Sequence, residues 1–280
     1  MDDINKLNAG YKEAISFTKN HYENFPVLSF FIPKKLRKHI AVVYMYARQA
    51  DDIADEDNLS VEERINLLEN YEADFTKALA AEFETEFWMA LANTVVEFQL
   101  TPENFFNLLI AFKQDLTVKR YKNFDALLSY CSYSANPVGR IILELYNVSN
   151  EEAKNYSDKI CTALQITNFL QDVAVDILKD RIYIPLDEME KFDVEENRFL
   201  LKQINGNFKN LMKMQIDRTI KLFEEGEKLL SMLPYRLRKQ INWTINGGKG
   251  ILKKIEANDY DVFNNRPKFS KLDLLKLAVK

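Results

Sequence analysis

The sequence is poor in the residues that interrupt helices. Over 280 residues there are only 7 Gly and 7 Pro, whereas 47% of the residues are hydrophobic and 29% are charged. Because Gly and Pro mark turns, and because amphipathic helices need both apolar and charged residues, this composition predicts an all-α protein. We find no Pro/Ser-rich linker and no repeat of solenoid length, which predicts a single domain over residues 1–280.

Cysteine and histidine are also scarce, with 2 residues of each. Cys131 and Cys161 form neither a CxxC motif nor a disulfide framework, and reduced thiols in the cytoplasm fit this pattern best. His21 and His39 are too few and too badly spaced for a zinc or di-iron centre.

Long apolar runs and basic stripes are missing as well. No run reaches the roughly 18 apolar residues of a membrane-spanning helix, so we expect a soluble protein that at most rests on a membrane surface. The net charge is −4 with Lys and Arg scattered along the chain, which argues against a nucleic-acid partner. The one glycine cluster, GGKG from Gly247 to Gly250, does not follow a strand pattern, so no nicotinamide-binding fingerprint is visible.

Local capping signals predict where several helices begin. Each pairs a capping residue with a second favourable residue just inside the helix. These signals are Ser60 with Glu63, Thr101 with Pro102, Ser149 with Glu152, and Asn136 with Pro137. Asn246-Gly247-Gly248 predicts a break or kink in the last third of the chain.

Five acidic residues end an otherwise apolar segment in the stretch RQADDIADED, Arg48 to Asp57. If residues 35–55 are helical, Tyr44, Arg48, Asp51 and Asp55 form one stripe on one face. Core helices normally fill such a stripe with Leu or Ile. A solvated acidic helix end is the simplest alternative.

A second polar stripe lies about 120 residues later, in KICTALQITNFLQDVAVDILKDRIYIP. Gln165, Asn168, Asp172 and Asp176 share one face of a helix whose remaining surface is mostly apolar. Such a helix is buried on most sides, so its polar face must meet other polar groups or a wet cavity. Clustered carboxylates of this kind favour a cation between them, and hard oxygen ligands suit Mg²⁺ shared with substrate phosphates. Two such clusters facing each other across a helical bundle indicate diphosphate chemistry.

With these motifs the chain resembles the squalene and phytoene synthase family of head-to-head prenyl synthases. Its first aspartate motif matches DDIAD, Asp51 to Asp55, and its second matches NFLQDVAVDILKDRIYIP, Asn168 to Pro185. The second motif favours the head-to-head form, because chain-elongating synthases usually carry DDxxD there. Two segments, HYENFPVLSFFIPKKLRKHI and FKQDLTVKRYKNFDALLSYCSYSANPVGR, resemble bacterial hydroxysqualene synthases of hopanoid pathways.

One segment departs from the family pattern. Condensing members usually carry a hydroxyl-rich Ser-Ser-Phe-like segment where this chain has Asn24-Phe25-Pro26-Val27. The departure removes the N-terminal serines that bind diphosphate in relatives. It also favours an enzyme that handles one preformed substrate over one that condenses two.

The resemblance implies an isoprenoid synthase helical bundle around a central cavity, with roles for individual residues. The implied Mg²⁺ ligands are Asp51, Asp52, Asp55, Asp172 and Asp176, with Asn168 assisting. The implied contacts to the diphosphate or its metal are Tyr44, Arg48, Gln165 and Arg181. Tyr130 and Tyr183 would lie near the developing cation or leaving group, and Asn136 and Gly139 would line the cavity.

Each assignment has a structural alternative. The three tyrosines could be core residues with satisfied hydroxyls, and Arg48 could pair with Asp51 or Asp52 on its own helix. Gln165 and Asn168 could bond neighbouring backbone, although their shared stripe with aspartates favours function. Asn136 reads better as an N-cap, Gly139 as a close helix contact and Asp180 as a solvated surface charge.

The expected activity is Mg²⁺-dependent conversion of presqualene diphosphate to hydroxysqualene without NADPH. Two alternatives stay open. The chain could make presqualene diphosphate, squalene or a phytoene-type product from farnesyl or geranylgeranyl diphosphate. It could also be a non-catalytic helical assembly factor, although such a scaffold would not need both DxxxD pairs.

Overall fold

The computed structural model describes residues 2–20 and 32–269, and most of these residues are helical. Within the described part of the chain there is no β-strand, only an isolated parallel bridge between Arg120 and Ile182. The predicted all-α class is therefore confirmed.

The α-helices in chain order are α1 Asp2–Asn20, α2 Arg37–Ala54, α3 Val61–Leu79, α4 Glu86–Phe98, α5 Pro102–Thr117, α6 Phe124–Ser134, α7 Asn136–Leu145, α8 Glu151–Gln171, α9 Val173–Asp176, α10 Leu186–Lys191, α11 Asn197–Leu200, α12 Gly206–Gly226 and α13 Tyr235–Ala257. Short 3₁₀ turns cover Lys34–Leu36, Ile177–Lys179 and Glu227–Met232.

Most of the predicted helix starts are observed. Ser60 and Glu63 form a reciprocal capping box at the start of α3, and α5 and α7 begin at Pro102 and Asn136. Helix α8 begins at Glu151, so Asn150 rather than Ser149 directly precedes it. These starts are predictable because a capping side chain bonds backbone amides only a few residues away.

The predicted break at Asn246-Gly247-Gly248 is wrong, because α13 runs through these residues without interruption. A Cβ on Gly248 would overlap the ring of Phe223 and lie 3.2 Å from Cδ2 of Leu164. At Gly247 no atom lies within 4 Å of such a Cβ. Gly248 is thus small because two neighbouring side chains pack against its backbone, and not because the chain turns there.

The described residues form two compact units. The first contains residues 2–20, 32–117, 137–150 and 234–237, and the second contains residues 118–136, 151–233 and 238–269. The single domain expected from the sequence stays a prediction.

In the first unit, α1 packs on α2 and α4, and an aromatic core surrounds the fully buried Tyr46. The rings of Tyr71, Phe75 and Phe105 lie 5.2 to 5.3 Å from the Tyr46 ring, and the Tyr46 hydroxyl donates to the carbonyl of Phe105 at 3.2 Å. This core supports the apolar face of α2, the helix that carries the first aspartate motif.

In the second unit, α8 packs on α6, on α12 and on the 3₁₀ turn Glu227–Met232. The face of α8 that points into this packing is buried at Ile160, Ala163, Ile166 and Leu170. The second aspartate motif lies at the C-terminal end of this supported helix.

Candidate active site

The first aspartate motif occupies the C-terminal end of α2. Asp51 is half-buried, Asp52 and Asp55 are exposed, and Asp55 follows the last helical residue with its amide donating to the carbonyl of Asp51 at 2.9 Å. The C-terminal end of a helix carries partial negative charge, so carboxylates are disfavoured there. Such a concentration of acidic groups is electrostatically suited to a cation.

Arg48 supplies part of the positive charge at this end of α2. Its Nη1 lies 3.1 Å from Oδ2 of Asp51 and its Nη2 lies 2.7 Å from Oδ1 of Asp52. Burial lowers the pKa of Arg48, but the two carboxylates outweigh this effect and raise it. The alternative that Arg48 pairs with its own helix is therefore confirmed. Burial also raises the pKa of the nearby Tyr44 phenol, and the positive charge of Arg48 opposes this shift.

The second aspartate motif lies where α8 ends. Helix α8 stops at Gln171, Asp172 has non-helical angles of φ −104° and ψ 13°, and α9 resumes at Val173. The continuous helix expected here is thus interrupted at Asp172, which is a correction. The helical spacing of Asn168, Asp172 and Asp176 is nevertheless retained. The Asp172 amide donates to the carbonyl of Asn168 at 2.8 Å, and the Asp176 amide donates to the carbonyl of Asp172 at 2.9 Å.

The polar stripe of the second motif is accessible to solvent. Asn168 is exposed, and Gln165, Asp172 and Asp176 are half-buried, while Ile166, Phe169 and Leu170 beside them are buried. The helix therefore separates apolar from polar faces as the sequence predicts.

Arg266 is a residue of this site that sequence reasoning missed. Its guanidinium pairs with both carboxylate oxygens of Asp172, through Nε to Oδ1 and through Nη2 to Oδ2 at 3.1 Å. The side-chain hydrogen bond to Asp172 raises the pKa of Arg266. Next to it, the carbonyl of Pro267 accepts a hydrogen bond from Nε2 of the buried Gln171. No local spacing pattern signals a pair 94 residues apart, and the only signal in the sequence was an arginine that follows the last helix of the described residues.

The donors at both motifs fit Mg²⁺, although the described residues contain no group of three or more His, Cys, Asp or Glu side chains placed to hold a metal. A protein typically binds Mg²⁺ through one or two carboxylates, with waters and substrate phosphates completing the shell. At each motif the structure shows carboxylate oxygens within reach of solvent and already attracting a guanidinium. Such a donor set suits an ion that arrives with a diphosphate.

The loop after the second motif brings Tyr183 next to Tyr130, with ring centroids 6.0 Å apart. The rings of Tyr121, Tyr130, Phe169 and Tyr183 form what we call the aromatic cluster. Tyr183 stacks on Phe169 with ring centroids 3.6 Å apart and planes 5° apart, and it lies 6.0 Å from Tyr130. All four residues are at least nine-tenths buried. Arg181 is half-buried, and its amide donates to the carbonyl of Asp176 at 2.9 Å.

The remaining predicted residues have mixed surroundings. Oδ1 of the buried Asn136 accepts a hydrogen bond from the Thr162 hydroxyl at 3.0 Å, and α7 begins at Asn136 itself, so this bond is a tertiary contact and not the expected N-cap. Gly139 is half-buried. Asp180 is exposed as expected, but it also pairs with Arg120 at 2.8 Å. The Asn24–Val27 segment lies outside the described residues.

Comparisons with known proteins agree with the motifs. A family model described as squalene/phytoene synthase matches residues 18–273. Hydroxysqualene synthase of Zymomonas mobilis is 42% identical over 193 residues, which cover 66% of this chain and 62% of that protein. Hydroxysqualene synthase of Sinorhizobium fredii is 31% identical over 263 residues, which cover 90% of this chain and 85% of that protein. A chloroplastic phytoene synthase of an Oncidium hybrid is 28% identical over 95% of this chain, which spans 66% of that protein.

Solved structures share the fold. Squalene synthase HpnC from Alicyclobacillus acidocaldarius superposes with a TM-score of 0.87 at 34% identity, over 91% of this chain and 95% of that chain. A dehydrosqualene synthase in complex with ligand gives the same TM-score at 23% identity, over 98% of this chain and 96% of that chain, which is a likeness of fold alone.

Proposed function

Because the chain belongs to the squalene/phytoene synthase family, we propose that it converts presqualene diphosphate to hydroxysqualene in a Mg²⁺-dependent reaction of squalene and hopanoid biosynthesis. The observation that carries the reaction class is the presence of both aspartate pairs, Asp51/Asp55 and Asp172/Asp176, each beside an arginine. The product is supported by the similarity to two proteins named hydroxysqualene synthase. The expectation that the two pairs share one cavity stays a prediction.

The proposed reaction needs no reductant. The carbon–oxygen bond to diphosphate breaks and its electron pair leaves with the diphosphate, giving a cyclopropylcarbinyl cation that rearranges. Water then forms the new carbon–oxygen bond and loses a proton to solvent. Replacing diphosphate by hydroxyl changes no net oxidation state, so NADPH has no role in this balance.

The chain's own groups suit the leaving group and the cation in different ways. A bound Mg²⁺ would neutralise charge on the departing diphosphate. Arg48 and Arg181 present positive charge near the two motifs, and the aspartates are placed to hold a metal. The aromatic cluster offers ring faces, which attract a carbocation, and its burial limits early capture by water.

A second candidate function is condensation of two allylic diphosphates. It is favoured by the similarity to phytoene synthases over nearly the whole chain, including 28% identity over 96% of this chain to that of Narcissus pseudonarcissus. The lack of hydroxyls at Asn24–Val27 argues against it. A non-catalytic assembly role is disfavoured because both aspartate pairs are present.

A substrate comparison tests the proposal. We expect purified protein with Mg²⁺ and without NADPH to convert presqualene diphosphate to an alcohol and to leave farnesyl diphosphate largely unchanged. Oxygen from ¹⁸O-labelled water should appear in the alcohol, and chelation of Mg²⁺ should stop the reaction. Products are identified by mass spectrometry.

The other outcomes are distinguishable. Efficient formation of presqualene diphosphate or phytoene from allylic diphosphates would support the condensing alternative. No turnover of any prenyl diphosphate would leave the assembly role as the better explanation.

A further inference from the structure

The loop that carries Arg181 and Tyr183, residues 177–185, is held by groups outside itself. It begins with the 3₁₀ turn Ile177–Lys179 and continues through Asp180, whose φ of 56° lies in the left-handed region. An aspartate in this conformation has only a modest intrinsic preference for it, so neighbouring contacts must help to maintain it. Ile182, Tyr183 and Ile184 then run into the protein as buried residues.

The side chain of Arg120 contacts this loop at both the main chain and the side chain of Asp180. Its Nη1 donates to the main-chain carbonyl of Asp180 and, at 2.9 Å, to the carbonyl of Lys119. Its Nη2 donates to Oδ1 of Asp180 at 2.8 Å and to Oε2 of Glu196 at 2.9 Å. One guanidinium therefore fixes both the backbone and the carboxylate of the left-handed residue, and Glu196 anchors the guanidinium in turn. The hydrogen bond to Glu196 is the main cause that raises the pKa of Arg120.

The residues around Arg120 extend this attachment along the loop. The amide of Ile182 donates to the carbonyl of Lys119 at 3.0 Å, and the amide of Leu186 donates to the carbonyl of Tyr121 at 2.9 Å. The Tyr121 ring stacks against Tyr183 at 5.7 Å with planes 20° apart. Backbone, guanidinium and ring thus hold the loop from the same short segment, Lys119 to Tyr121.

The attachment leads directly to the second aspartate motif. The residue after Asp180 is Arg181, and its amide bonds the carbonyl of Asp176 at 2.9 Å. A shift of Asp180 would therefore move Arg181 and Tyr183. It would also disturb the hydrogen bond between the Arg181 amide and the Asp176 carbonyl. A misplacement of about 1 Å can cost about 100-fold in rate.

We propose that Arg120 is a positioning residue, which holds the loop from Asp180 to Tyr183 in the conformation required for loss of diphosphate. This inference rests on the proposed function. A purely stabilising role explains the contacts less well, since partly exposed ion pairs contribute little to stability, and Asp180 and Glu196 are 78% and 44% exposed.

The test compares Arg120→Gln, Arg120→Lys and the control Lys249→Gln. Lys249 pairs with Glu227 at 2.7 Å, and neither residue belongs to the loop. Its side chain is 21% exposed, close to the 23% of Arg120, so the two positions are matched in burial. The measurements are kcat and KM with presqualene diphosphate and Mg²⁺, and hydrogen exchange at the amides of Arg181 and Ile182.

We expect Arg120→Gln to lower kcat at least about 10-fold while KM changes less than about 3-fold, because the groups that the loop positions, Arg181 and Tyr183, act mainly on the departing diphosphate and the developing cation of the transition state. Exchange at the two amides should accelerate by about 10-fold or more, as local opening becomes easier. Arg120→Lys should fall between wild type and Arg120→Gln, since lysine keeps the charge but lacks the planar fork. Lys249→Gln should match wild type in both measurements.

Wild-type kcat in Arg120→Gln would overturn the inference, and so would a lost kcat with unchanged exchange at both amides. If Arg120→Gln does not fold, Arg120→Lys decides by the same two measurements. A wild-type protein that is inactive on every prenyl diphosphate contradicts the proposed function instead, and the exchange rates still show whether Arg120 holds the loop.

Discussion

At the scale of single residues, Asp172 has an observed ion pair with Arg266 and a proposed role as a Mg²⁺ ligand, and the two differ in their expected energies. Its pair with Arg266 is partly exposed, with side-chain exposures of 28% and 49%. Exposed pairs of this kind are worth about 0 to 1 kcal/mol in stability. A Mg²⁺ ion that neutralises a departing diphosphate contributes several kcal/mol to transition-state stabilisation, and the proposed role of Asp172 is to help hold such an ion.

Asp172→Asn should therefore lower turnover of presqualene diphosphate by about 100-fold or more, while the free energy of unfolding falls by no more than about 1 kcal/mol. Asp217→Asn is the matched control, because Asp217 belongs to an exposed pair with Lys213 on α12. The control should change neither quantity. Steady-state kinetics and chemical denaturation measure the two effects. Near-normal turnover with unchanged Mg²⁺ dependence would remove Asp172 from the site.

At the scale of helices, packing decides the use of glycine in α13. Gly248 lies against Phe223 of α12 and Leu164 of α8, whereas Gly247 has open space around it. The two neighbouring glycines thus have opposite roles in the same helix. Gly248 allows close packing in the second unit, and Gly247 only weakens the helix.

Gly248→Ala should destabilise the protein by about 1 to 3 kcal/mol, because the added methyl group overlaps a buried ring. Gly247→Ala should instead stabilise it by about 0.5 to 1 kcal/mol through better helix propensity. Thermal or chemical unfolding of the two variants measures this difference. Equal effects of the two substitutions would show that helix propensity alone governs both positions.

At the scale of the whole molecule, acid stability should depend on a buried histidine. His39 is 1% exposed, and its Nδ1 lies 2.9 Å from Oγ1 of Thr94 and 3.3 Å from the Tyr11 hydroxyl, so it links α1, α2 and α4. Burial lowers its pKa from 6.5 to about 4; Glu97, 3.6 Å from Nε2, opposes this shift and Lys38 adds to it.

The direction of the pH dependence of stability follows from the pKa values of His39 in the unfolded and folded chains. Between pH 6.5 and about 4 the unfolded chain binds a proton at His39 that the folded chain does not. The stability contributed by neutral His39 is complete above pH 6.5 and is lost as the pH falls through this window, by up to about 3 kcal/mol. His39→Gln should therefore lose less stability over the same window. Denaturation curves at several pH values measure this, and equal pH dependence in both proteins would contradict it.

Composition by itself determined the helical class, and residue spacing determined most helix starts and the polar stripes of both aspartate motifs. Each of these depends on neighbours within a few turns: Ser60 caps the amide of Glu63, and the amide of Asp176 bonds the carbonyl of Asp172. Such periodicity and capping are local, so a sequence displays them directly. The scarcity of glycine and proline can be read from the sequence in the same direct way, whereas the Asn246-Gly247-Gly248 motif wrongly suggested a break.

Only the tertiary structure decided which distant groups meet. Arg266 reaches Asp172 across 94 residues, and Arg120 reaches Asp180 across 60. Tyr121 and Phe169 join Tyr183 in one cluster. The ring of Phe223 explains why position 248 requires glycine although its backbone is helical. The interruption of the helix at Asp172 also has no Gly or Pro beside it to announce it. These contacts arise where packed helices bring remote segments together. The spacing of residues along the chain does not predict which remote segments will meet.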